Sequence, residues 1–96
     1  MKTRSWRDAN VLIIGAARQG LALTRFMLRQ GANVHLNDHR TESQLNATLR
    51  EMTDLPIRWR LGGHPVELLN GMDAVFVSGG VPLSLPIIQE AARRGM

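Results

Sequence analysis

Apolar and polar positions along the chain follow two periods, and the changes between them divide it into short segments. Asn10 to Ile14 is an almost unbroken run of β-branched and leucine residues closed by Gly15, the pattern of a strand buried on both faces. Over residues 18–30 the period changes. Leu21, Thr24 and Leu28, with Leu23 and Met27 beside them, recur at helical spacing and predict a helix with a wide apolar stripe. Gly31 supplies the left-handed residue that lets such a helix stop. Asn33 to Asn37 predicts a second strand. Thr41-Glu-Ser-Gln44 has the spacing of a capping box and opens a helix with Leu45, Leu49 and Met52 on one face. Pro56 breaks that pattern. Ile57, Trp59 and Leu61 then alternate with Arg58 and Arg60, as in a strand with one wet face at a sheet edge. A Gly62-Gly63 turn and a short helix around Pro65 to Leu69 lead into a fourth apolar run, Asp73 to Val77. Ser84 stands where an N-cap belongs, with Pro86 in the first turn; Ile87, Ile88, Ala91 and Ala92 are expected to face inward, and Gly95 ends the last helix.

The resulting order, βαβαβαβα with short connections, predicts an α/β fold: a doubly wound, Rossmann-like parallel sheet with helices on both faces and strands in the order 3-2-1-4. Residues 57–61 fall at one edge. No repeat, linker or low-complexity stretch interrupts the 96 residues, so 1–96 reads as a single domain. Hydrophobic residues at 44% and charged residues at 21% exclude a disordered tail or a fibre. The absence of cysteine excludes disulfides, thiolate metal sites and cysteine nucleophiles. Apolar runs such as Val11 to Ile14 fall far short of the roughly 18 residues of a membrane span. Met1 to Arg7 leads straight into a strand-like run rather than a leader, and a cytoplasmic location without membrane partners is the expectation. The five methionines and Trp59 read as core filling; for Trp6, packing on the sheet and a loose tail both stay open.

Charge adds a candidate ligand class. The net charge of +4 rests on eleven arginines and one lysine, and guanidinium forks suit phosphates and carboxylates. Nucleic acid is the competing reading of the same charge. However, the basic groups (Arg4 with Arg7, Arg58 with Arg60, Arg93-Arg94) are scattered, and the four aromatics form no stripe among them, so no nucleic-acid partner is expected. Ligands of open α/β sheets bind beyond the carboxyl ends of the strands. After the first strand comes Gly15-Ala-Ala-Arg-Gln-Gly20, the dinucleotide-binding pattern with Ala17 in place of its middle glycine. Gly15 makes the tight turn, Gly20 lets helix and strand pack closely, and the helix start offers N–H groups to an anion. After the second strand, Asp38 lies eighteen residues past Gly20, where a ribose-binding acid belongs, followed by the exposed loop residue His39 and by Arg40. After the fourth, Ser78-Gly-Gly-Val-Pro82 lets a ligand approach the backbone. His35 and His64 have no carboxylate at metal-ligand spacing, so no metal site is expected. Leu21-Ala22 replaces the lysine and hydroxyl of a phosphate-binding loop, and no nucleophile–base pair emerges from spacing. The chain reads as a binding domain with no catalytic residue. A nicotinamide- or flavin-binding domain is the alternative, with Ala17 weighing against it.

Val11-Leu-Ile-Ile-Gly15, Arg18-Gln-Gly20, Asn37-Asp-His-Arg40, Gly62-Gly-His64, Asp73-Ala-Val-Phe-Val-Ser78 and Gly80-Val-Pro82 with Pro86 together resemble the N-terminal domain of the Mur ligases, in particular the D-glutamate-adding member. The resemblance spans residues 10–96. It implies a domain that holds the uridine diphosphate of UDP-N-acetylmuramoyl-L-alanine, with Arg18 and Gln19 along the diphosphate. Asp38, His39 and Arg40 would surround the uracil and ribose, and Ser78, Gly79 and Gly80 would close the other side. ATP and Mg2+ would act in other domains of the complete ligase, and this chain would need no cofactor of its own. The sequence departs from the family pattern at Ala17, where glycine is usual, and at Gly79, where proline is usual; the second leaves the loop less preordered. In the family a fifth strand would begin about where this chain stops, so strand 73–77 is expected to be left as an exposed edge prone to self-association.

Overall fold

The computed structural model describes residues 5–96, which form β1 (Asn10–Ile14), α1 (Arg18–Arg29), β2 (Asn33–Asp38), α2 (Asn46–Glu51), β3 (Arg58–Leu61), a 3-10 turn (Val66–Leu69), β4 (Ala74–Val77) and α3 (Pro86–Arg93). The four strands make one parallel sheet in the order β3-β2-β1-β4, as the alternation of periods predicts. In register, Val11 lies between Val34 and Ala74, and Leu36 lies beside Trp59.

The continuous apolar run of β1 serves two cores. Val11 and Ile13 face one layer, packed with Met27 of α1, Leu45, and the half-buried Leu49 and Trp59. Leu12 and Ile14 face the other, packed with Leu69, Ile87 and Ala91. A central strand buried on both faces needs this second apolar set, because period-2 alternation would leave one helix layer on a polar surface. α1 ends where Gly31, at φ +86°, turns the chain and donates to Leu28 O, while Ala32 donates to Met27 O.

Local details depart from the sequence reading at several points. The Thr41 box forms, with Thr41 N donating to Gln44 Oε1 at 2.8 Å and Gln44 N to Thr41 Oγ1 at 3.4 Å, but it braces a turn, and α2 begins only at Asn46. Ser84 is not the N-cap of α3. Proline drives the residue before it into extended backbone, so Leu85, at φ −58° and ψ 139°, takes the cap position without a side-chain bond. Ala92 is exposed, leaving Ile87 and Ala91 as the buried face with Ile88 beside them. Of the methionines expected in the core, Met27 and Met52 are buried, Met72 is half-buried and Met96 is exposed; Met1 lies outside the described residues. Trp59 is half-buried because its strand is the sheet edge, and Trp6 packs its ring 5.7 Å from that of Phe76.

Candidate functional site

Parallel strands bring all their carboxyl ends to one rim, and there the polar residues flagged by the sequence meet. A cavity of about 460 Å3 is lined by Gly15 and Ala17 from the first turn, Asp38, His39 and Arg40 after β2, His64 after β3, and residues 78–82 with Leu85 after β4. That volume is within the range of small-molecule sites. Six of the eight residues singled out as ligand contacts therefore share one cavity: Asp38, His39, Arg40, Ser78, Gly79 and Gly80. Arg18 and Gln19 do not line it; both stand exposed in the first turn of α1.

Several of these side chains hold the rim together. The Asp38 carboxylate accepts from Ala16 N at 2.8 Å and from Arg40 N, Nε and Nη2, each at 2.9 Å. Four donors fill the acceptor capacity of a carboxylate. Burial by itself would raise the Asp38 carboxyl; the Arg40 hydrogen bonds, the Ala16 amide and the Arg40 charge outweigh it and hold the group well below the usual carboxylate range. Asp38 thus pins the Gly15–Ala17 turn to β2 and fixes Arg40 beside the cavity. Ser78 ties β4 to the same turn, its Oγ donating to Gly15 O at 2.8 Å. Gln19 reaches across to accept from Gly79 N at 2.7 Å, which tethers the loop after β4 to α1. Gly79 is less free than its sequence suggests.

Backbone geometry explains the glycines. A Cβ on Gly20 would sit 1.8 Å from Gly15 O, so only glycine permits this contact of helix on strand. Gly15 itself has φ +106°. Ala17 is at φ −94°, a conformation any residue adopts, and it lines the cavity. Among the described residues no side chain caps α1, and no acidic residue lies in its first turn, so the helix start presents its N–H groups and positive dipole end beside Ala17.

The sequence reading did not place His64 or Leu85 at the cavity, and it took Val81 and Pro82 only as part of the Ser78–Pro82 loop, not as wall residues. His64 follows the carboxyl end of the edge strand β3, and the same strand-end rule that flagged Asp38 applies to it. The apolar wall formed by Val81, Pro82 and Leu85 depends on how the loop folds back, which the Ser78–Pro82 motif does not specify. His39 is exposed, its Nδ1 3.5 Å from Asp38 Oδ1 and its ring 6.2 Å from that of His64. Among the described residues no three His, Asp or Glu side chains are grouped to hold a metal.

Residues 9–96 match the family described as Mur ligase MurD-like, N-terminal domain. The chain belongs to that family. A UDP-N-acetylmuramoylalanine–D-glutamate ligase of Geobacter metallireducens is 43% identical over 86 residues, covering 90% of this chain and 19% of the relative. Ligases of the same description from Alkaliphilus oremlandii and Bdellovibrio bacteriovorus are 40% identical over 92 residues and 33% over 90, each covering 94% of this chain. This Mur ligase domain spans about a fifth of the length of these relatives. No helix among its described residues is long and apolar enough to cross a membrane.

Proposed function

We propose that this chain is the substrate-recognition domain of a cytoplasmic ligase that joins D-glutamate to UDP-N-acetylmuramoyl-L-alanine in peptidoglycan precursor synthesis, and that the rim cavity holds the uridine diphosphate part of that substrate. The observation that carries the reading is a cavity beside an uncapped helix start, within a chain whose family membership covers residues 9–96. In this reading the diphosphate lies against the main-chain N–H groups of Arg18 and Gln19. Asp38, His39 and Arg40 surround uracil and ribose, and Ser78, Gly79 and Gly80 close the opposite wall. Arg40 keeps Nη1 free of the Asp38 bonds and offers it, or its flat face, to the nucleotide.

Catalysis belongs elsewhere in the complete enzyme. ATP and magnesium would act there, and the residues here do not fit that group: the first turn lacks the lysine and hydroxyl of a phosphate loop, and among the described residues no acidic cluster converges on a cation. We further infer that a second copy of the chain pairs along the outer edge of β4.

A calorimetric titration of the 96-residue chain tests the main reading. Expected are saturable binding of UDP-N-acetylmuramoyl-L-alanine and of UDP, weakened by added salt, and no turnover with ATP and D-glutamate. Tighter binding of NAD or of a short oligonucleotide would overturn it.

A further inference from the structure

Asn37, adjacent to Asp38 on β2, is fully buried and its amide orientation is fixed by its partners. Its Nδ2 donates to Arg60 O at 2.8 Å and to Gly63 O at 2.7 Å. Both partners are carbonyls, which only accept, so a flipped amide would set oxygen against oxygen. Oδ1 is therefore the atom 2.6 Å from His64 Nδ1. An amide oxygen only accepts, so the proton of that bond is on Nδ1. A neutral imidazole protonated at Nδ1 carries a bare lone pair on Nε2. Burial lowers the His64 pKa and the neighbouring His39 lowers it further, against an opposing pull from Asp38, so the ring is neutral at pH 7. Nε2 makes no hydrogen bond among the described residues, and His64 lines the cavity on the side of Asp38, His39 and Arg40. A buried amide committed to three partners thus holds a histidine in one tautomer, with an acceptor left for a ligand.

We infer that His64 determines base specificity: its Nε2 accepts the imide N3–H of uracil, admitting a uridine nucleotide and rejecting a cytidine one. Cytosine carries a lone pair at N3, so two acceptors would face each other without a proton between them. The two pyrimidines are nearly the same size, so shape alone separates them poorly. This inference rests on the uridine-nucleotide reading of the cavity, and it adds a residue outside the set assigned to base and ribose there.

The test is the ratio of affinities for UDP, CDP and N3-methyl-UDP, measured by calorimetry on the chain and on His64→Ala and His64→Gln. Wild type is expected to bind UDP at least about tenfold more tightly than either analogue. His64→Ala should bring the UDP:CDP ratio close to one. His64→Gln, whose amide can turn to present oxygen or NH2, should gain affinity for CDP; it also carries the test if the alanine variant fails to fold, with circular dichroism as the check. A residue that merely supported the Gly62–Gly63 turn would weaken all three ligands together and leave the ratios unchanged, and that result in both variants overturns the inference. Equal wild-type affinity for UDP and CDP overturns it too, leaving the nucleotide site intact. No UDP binding by wild type overturns the nucleotide reading and this inference with it.

Discussion

At Gly20 the first atom of any side chain would lie 1.8 Å from Gly15 O and 2.6 Å from Ser78 Oγ, and the backbone oxygen cannot move without opening the turn. Gly20→Ala is expected to cost about 4 kcal/mol or more, read as a collapse of the urea midpoint. Asp38 makes a prediction of a different sign structure. Its folded pKa lies below the unfolded value near 4, so its contribution to stability is complete above about pH 4 and drains away as pH falls further. The wild-type chain should therefore lose stability steeply on acidification below about pH 4. Asp38→Asn should be less stable by about 1–3 kcal/mol at pH 7 and should show a flatter acid limb in denaturation series. A parallel acid limb in both proteins would rule out Asp38 as its source. The glycine spacing was legible in the sequence because strand, turn and helix are contiguous there. The internal commitment of Asp38 was not: spacing marks an acid at a strand end, whereas its saturation depends on Ala16, twenty-two residues away, arriving within 2.8 Å.

Between elements, the bond from Gly79 N to Gln19 Oε1 is the tie that fixes the β4 loop against α1. A Cβ at position 79 would come 2.5 Å from that oxygen, which lies at the end of a flexible side chain and can swing aside at the loss of the bond. Gln19→Ala and Gly79→Ala are each expected to cost about 0.5–1 kcal/mol, and the double variant no more than either single one. A double-mutant cycle with additive losses would show that the two residues do not act as a unit. Gly79→Pro should match Gln19→Ala in this cycle, since proline has no N–H to give. The elements themselves were legible from apolar period, yet their first residues were not. The turn braced by Thr41 and the extended Leu85 ahead of Pro86 both shift a helix start by local hydrogen bonding or ring sterics that periodicity does not register. The cavity's apolar wall stayed hidden for a related reason, because Val81, Pro82 and Leu85 meet only after the loop closes.

Across the whole molecule, the alternation of strand and helix fixes a parallel sheet with two outer strands, and those strands differ in chemistry. β3 alternates Arg58 and Arg60 with half-buried Trp59 and Leu61, and charges on an edge discourage pairing with another chain. β4 reads Ala-Val-Phe-Val, carries no charge, has all four residues half-buried, and among the described residues pairs only with β1. Its outward main-chain groups offer a template for pairing with another strand. The chain is therefore expected to associate with a second copy through β4, seen as a concentration-dependent rise in mass by sedimentation equilibrium. Main-chain pairing predicts more than stickiness. A peptide spanning residues 73–78 should compete and shift the mass toward monomer, while the same peptide with N-methylated amides on its pairing edge should not. Competition by both peptides would assign the contact to apolar side chains instead, and a monodisperse monomer at high concentration in light scattering would remove the β4 edge as an interface.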